Sequence, residues 1–286
     1  MKSNPPIQPL ISVDELAHHL DDLSWLIVDC RFSLADASAG RRRYEDSHIP
    51  GAMYAHLNDD LSGPIIPGVT GRHPLPAVET AARTFGRLGI HSGVRVVAYD
   101  DMGGALGAAR LWWMLRWLGH DAVQVLDGEW QAWLAGGYPT RAGVETRPPA
   151  AFIARPRAER IATAEDVETM RLNPSCRVLD ARSAARFHGR EETIDPVAGH
   201  IPGALSAPYT DNLTPQGTFR SATELRGYYL ALLGDTPADQ TVVYCGSGVS
   251  ATHSILAMQV AGLGEARLYP GSWSEWITDP RRPVAS

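Results

Sequence analysis

Apolar residues come in this chain as short unbroken runs. Residues 25–29 (WLIVD) and 177–180 (RVLD) each close on an aspartate, and 95–100 (RVVAYD), 241–245 (TVVYC) and 266–271 (ARLYPG) follow the same plan. A run without polar alternation has no solvent face, so it reads as a strand covered on both sides, as in a parallel sheet. Between the runs, the spacing predicts helices over 80–90 and 222–234, each stopping at a glycine. A third, over 249–264, sets Ile255, Leu256, Val260 and Leu263 on one face. Alternating strands and helices predict an α/β fold, a mostly parallel sheet with helices on both faces. In such sheets, functional groups collect in the loops at the carboxyl ends of the strands.

The pattern occurs twice. LIVDCR (26–31) returns as RVLDAR (177–182), SHIPGA (47–52) as GHIPGA (199–204), RVVAYD as TVVYCG (241–246), and VLDGEWQAW (125–133) as LYPGSWSEW (268–276). The order is kept, so the chain reads as a duplicated domain. Gly, Pro, Thr and Arg crowd the stretch 136–150 between the copies. This predicts a first domain over 1–140, a linker over 141–157 and a second domain over 158–286.

Composition narrows the function classes. The 286 residues are 44% hydrophobic and 20% charged, with a formal net charge of −6. That balance is ordinary for a globular protein and argues against a nucleic-acid or anionic-membrane partner. The most apolar stretch, 111–118 (LWWMLRWL), is too short to span a bilayer and contains Arg116. Trp112, Trp113 and Trp117 have helical spacing and read as core or domain-interface packing. The start, MKSNPPIQPL, has no apolar leader segment. Three cysteines at long, irregular spacing form neither a disulfide framework nor a CxxC site, so no metal and a reducing, cytoplasmic setting are expected.

One cysteine stands out. Cys245 closes a strand and is followed by Gly246, Ser247, Gly248, Val249 and Ser250 before a helix. Only the thiolate is nucleophilic, and an ordinary thiol with a pKa of about 8.5 is mostly protonated at neutral pH. Glycines let successive backbone N–H groups turn toward one anion, and the helix start adds its positive dipole end. A buried cysteine ending a core strand is the plainer alternative. Against it, the first copy has Asp100 where Cys245 stands, so the fold itself does not require a thiol there.

The paired HIPGA motifs, the DxR strand ends and the CGSGVS loop resemble the two-domain rhodanese-type sulfurtransferases over essentially the whole chain. The resemblance implies two tandem rhodanese-like domains, the first catalytically silent and the second carrying the nucleophile. Cys245 would take a sulfane sulfur, hold it as a persulfide in the 246–250 loop, and pass it to a thiol or cyanide without a cofactor. The acceptor would be a thioredoxin-like protein or a low-molecular-weight thiol. Thiosulfate enzymes of the family place cations just after the cysteine, whereas Gly246-Ser247-Gly248 is neutral. The resemblance therefore points to 3-mercaptopyruvate, with thiosulfate as the alternative donor and a non-catalytic binding module as a distant one.

The same resemblance assigns site residues. Arg186 matches the substrate arginine after the second DxR, and Arg182 the structural arginine of that motif. The family's second substrate arginine has no counterpart in EETIDPVAG (191–199), which leaves Arg190 as the candidate. His73, in GVTGRHPLP, matches a histidine that forms a proton-handling set with the loop serine, Ser247, and an upstream aspartate near Asn58, Asp59 and Asp60. His48 and His200 recur in both copies and read as structural. Phosphatases of similar fold need an arginine six residues after the cysteine; Ala251 stands there.

Overall fold

The computed structural model describes residues 7–286, so most of the stretch MKSNPPIQPL, read as having no leader segment, lies outside the described residues. The chain divides into two compact units. The first holds the chain up to Leu61 and Ala77–Pro156; the second holds Ser62–Pro76 and Arg157–Ser286. This departs from the expected boundaries in two ways. Residues 62–76 group with the second unit, and the expected linker is laid along the first. There Arg147 donates to the carbonyls of Leu23 and Trp25, Ala150 N–H to Gly86 O at 2.8 Å, and Arg155 N–H to Leu118 O at 2.8 Å.

The first unit runs β1 (Leu10–Ile11), α1 (Val13–Ala17), β2 (Trp25–Asp29), α2 (Ala39–Asp46), β3 (Met53–Tyr54), α3 (Val78–Arg87), β4 (Arg95–Tyr99), α4 (Ala108–Trp117), β5 (Val123–Leu126), α5 (Glu129–Ala135). Its five-stranded sheet has the order β1-β5-β4-β2-β3, parallel throughout. The second unit runs α6 (Ala164–Arg171), β6 (Arg177–Asp180), α7 (Ala184–Phe187), β7 (Leu205–Ser206), α8 (Ala222–Leu233), β8 (Thr241–Tyr244), α9 (Ala251–Val260), β9 (Arg267–Leu268), α10 (Ser272–Trp276). Its sheet has the order β7-β6-β8-β9, also parallel. Every residue of β2, β5 and β8 is buried, so both faces of these strands are covered. Trp112, Trp113 and Trp117 are buried in α4. Helix α9 differs from the one-sided stripe expected for it: eight consecutive residues, Ala251 to Met258, are buried, so it is enclosed on all sides.

The repeated motifs build the same device twice. Asp29 pairs with Arg31 and accepts from Tyr99 Oη, Arg31 reaches Ser47 O, and its guanidinium lies 4.6 Å from the Trp130 ring. In the second unit Asp180 pairs with Arg182, Arg182 reaches Gly199 O, and its guanidinium lies 4.7 Å from the Trp273 ring. The tyrosine hydroxyls cap equivalent HIPGA amides, Tyr99 at Ile49 and Tyr244 at Ile201. His48 and His200 pair through Nδ1 with the carbonyls of Tyr44 and Phe187. The DxR and HIPGA motifs thus join strands to the loops beside them by buried, charge-assisted hydrogen bonds.

Candidate active site

Cys245 follows the last residue of β8 and is 2% exposed. The turn after it is tight because Gly248 has φ +76°, and a Cβ there would stand 2.3 Å from Pro270 O. Burial pushes the Cys245 thiol up. Hydrogen bonds from the Ser250 hydroxyl and from the backbone N–H groups of Ser247, Ala251 and Gly248 outweigh it and hold the thiol below its ordinary value.

A second segment holds the base of this loop. Ser272 sits in the left-handed region at φ +54°, strain that a non-glycine residue bears only where its surroundings fix it. Its Oγ accepts the Cys245 N–H at 3.1 Å and donates to Tyr269 O. The N–H groups of Trp273 and Ser274 donate to the carbonyls of Cys245 and Gly246, each at 3.0 Å. Ser274 Oγ also accepts the Arg72 N–H at 3.1 Å, which fixes the 62–76 segment beside the loop.

That segment brings two side chains. His73 and Ser247 are each 7% exposed, and His73 Nδ1 shares a 2.8 Å hydrogen bond with Ser247 Oγ. Arg72 was not picked out from the sequence. A Cβ on Gly246 would lie 2.8 Å from Arg72 Nη2 and 3.4 Å from Arg186 Nη1, so glycine lets both guanidiniums press onto the loop. Burial lowers the Arg72 pKa, and the charge of Cys245 works against that. Arg186, in the last turn of α7, is gripped by Glu192 through Nε at 3.0 Å and by Asp195 through Nη2 at 2.8 Å. Arg72 binds the other oxygen of Asp195.

Arg190 is exposed, and the structure does not bring it to the loop. Helix α7 ends at Phe187, and Gly189 at φ +64° turns the chain so that Arg190 faces outward. Asp59 and Asp60 are held within the first unit: Asp59 lies 3.1 Å from His56 Nδ1, and Asp60 accepts the His56 N–H and pairs with Arg87. Cys30 and Cys176 are buried, and burial pushes the Cys30 thiol well above its ordinary value. Among the described residues no group of side chains is arranged to hold a metal ion, and no helix is long and apolar enough to cross a membrane.

The family model described as "Rhodanese-like domain" matches residues 12–136 and again 163–279. A Pseudomonas aeruginosa protein provisionally named a 3-mercaptopyruvate sulfurtransferase is 47% identical, over 97% of this chain and 98% of its own. A Mycobacterium tuberculosis protein provisionally named a thiosulfate sulfurtransferase is 40% identical, over 97% and 96%. The solved 3-mercaptopyruvate sulfurtransferase of Leishmania major superposes with a TM-score of 0.86 at 33% identity, covering 96% of this chain and 75% of that one. Two matched copies of the domain, near-full-length relatives and two parallel-sheet units agree: the chain belongs to the two-domain rhodanese-like sulfurtransferases.

Proposed function

We propose that this protein moves a sulfane sulfur from 3-mercaptopyruvate, through a persulfide on Cys245, to a thiol or cyanide acceptor. The observation that carries the reading is the loop after Cys245, whose backbone N–H groups and Ser250 hydroxyl hold the thiol below its ordinary value, with the Arg72 and Arg186 guanidiniums against Gly246. They favour the thiolate before attack and a persulfide anion after it. The thiolate attacks the donor sulfur, and the bond from that sulfur to C3 breaks. Its electron pair passes into the adjacent ketone as an enolate, and protonation at C3 gives pyruvate. Ser247 and His73, joined at 2.8 Å, are the groups to carry the thiol proton of the donor toward that carbon.

Arg186 and Arg72 are the groups to hold the donor carboxylate, with Arg72 in the role the sequence suggested for Arg190. Glu192 and Asp195 offset much of their charge, which suits a monoanion. Thiosulfate is the second reading, favoured by the presence of two guanidiniums rather than one and by the name of the Mycobacterium tuberculosis relative. A reducing cytoplasm and a thioredoxin-like or low-molecular-weight thiol acceptor complete the proposal. The test is kcat/KM for the two donors with one acceptor thiol. The account expects 3-mercaptopyruvate to lead by at least about tenfold, roughly 1.4 kcal/mol in transition-state binding. A lead for thiosulfate overturns the donor assignment.

A further inference from the structure

The two carboxylates behind the arginines are not equivalent. Glu192 is anchored to the fold: its Oε1 accepts the N–H groups of Ile194 and Asp195 at 3.0 Å, and its Oε2 lies 3.5 Å from Arg182 Nη1. The Asp195 side chain, 2% exposed, gives one oxygen to Arg72 and the other to Arg186, at 2.8 Å for the latter. It links the two guanidiniums that lie against Gly246, next to Cys245. The bonds it makes engage Arg72 Nη1 and Arg186 Nη2; Arg72 Nη2 and Arg186 Nη1 are the atoms nearest the loop.

A buried carboxylate in this position does two things. It holds both forks in place, and it subtracts one unit of positive charge from the point where a donor anion must bind. With Asp195 and Glu192 both ionised, the two arginines present little net charge to a second negative charge on the donor.

Resting on the sulfurtransferase reading above, we propose that Asp195 is a specificity-determining residue that restricts the pocket to monoanionic sulfur donors and disfavours dianionic ones. Replacing it with asparagine keeps the shape and one acceptor oxygen while removing the charge, so the dianion should gain selectively.

The experiment uses the full chain and two donors of matched chemistry, methanethiosulfonate (a monoanion) and thiosulfate (a dianion). In each, the Cys245 thiolate attacks the outer sulfur and the sulfur–sulfur bond breaks. The electron pair leaves with methanesulfinate or with sulfite. In D195N the ratio of kcat/KM for thiosulfate to that for methanethiosulfonate should rise by at least about tenfold, the effect of one partly screened charge. In D195E, which restores the charge, the ratio should return to within about threefold of the unaltered protein. A ratio unmoved in D195N, or parallel loss of both donors in D195N and D195E, overturns the proposal. D195S, a smaller neutral variant, carries the same expectation if D195N does not fold.

A readout independent of sulfur transfer separates this proposal from the proposed function. The rates of Cys245 alkylation by anionic iodoacetate and by neutral iodoacetamide are compared, and the ratio of the first to the second should rise in D195N. A rise without any persulfide would sink the sulfurtransferase reading and keep the role of Asp195. A persulfide with neither ratio changed would do the reverse.

Discussion

The loop after β4 and the loop after β8 occupy the same place in their units and enclose different side chains. In the first, the Asp100 carboxylate accepts backbone N–H groups from Met102, Gly104, Leu106, Gly107 and Ala108 at 2.8–3.1 Å. The chain has filled that nest with its own side chain, and the acids nearby discourage any other anion. Glu129, beside Asp100 and Asp101, is pushed by burial up to about 7. In the second loop the N–H groups of Ser247, Gly248 and Ala251 and the Ser250 hydroxyl hold the Cys245 thiol below its ordinary value, and the side chains against Gly246 are Arg72 and Arg186. Both loops are fastened in the same way by the residue after a left-handed one (Glu129 at φ +62°, Ser272 at φ +54°), with Trp130 N–H on Asp100 O and Trp273 N–H on Cys245 O. One strand-end loop thus occurs twice, closed by its own carboxylate in the first unit and carrying a thiol of lowered pKa in the second.

The largest effect should come from filling the second loop with a carboxylate, as Asp100 fills the first. C245D should fold, because its carboxylate inherits the amides, and sulfur transfer should fall by at least about 1000-fold, the scale of losing a covalent nucleophile. Retained activity in a steady-state assay would remove Cys245 from the mechanism.

H73N sharpens the account by donor. Turnover of 3-mercaptopyruvate should drop by about 100-fold, because a proton must reach carbon. Thiosulfate turnover should change by less than about threefold, because sulfite leaves without one. Equal losses for both donors would give His73 a structural role instead.

R72A and R186A should each lower kcat/KM for 3-mercaptopyruvate by about ten- to a hundred-fold, or roughly 1.5–3 kcal/mol. The rate of Cys245 alkylation by iodoacetamide should remain close to that of the unaltered protein in R186A and fall in R72A, which loses a guanidinium that favours the Cys245 thiolate. Unchanged donor kinetics in R72A would return the second contact to Arg190.

The smallest effect is expected in the silent half. D100N leaves buried amides facing a neutral group and should lower stability by about 1–3 kcal/mol in urea titration, with kcat/KM unchanged. A fall in kcat/KM with stability intact would mean that the first nest takes part in catalysis.

Much of this was legible in the sequence because the repeated motifs are the joints of the fold. Asp29 with Arg31 and Asp180 with Arg182 are local in sequence, and the tyrosines and tryptophans that complete each joint recur in register. The loop at Cys245 was legible for a similar reason, since its donors come from the next six residues. Arg72 was not, although it stands next to His73, because nothing local shows that 62–76 groups with the second unit. The turn at Gly189 that sends Arg190 outward is equally silent in residue spacing. The path of the linker is silent too: Pro and Gly mark a chain without regular structure, whether it hangs free or, as at Arg147 and Ala150, lies hydrogen-bonded along a unit.

The most direct test of the central claim, that the second nest holds a sulfur anion delivered by 3-mercaptopyruvate, is peptide mass spectrometry after brief incubation with that donor and no acceptor. The account predicts one added sulfur on the peptide containing Cys245, none on those containing Cys30 and Cys176, and its loss when a thiol acceptor is added. Added sulfur confined to Cys30 or Cys176, or a Cys245 peptide that stays unmodified while pyruvate is released, would contradict it.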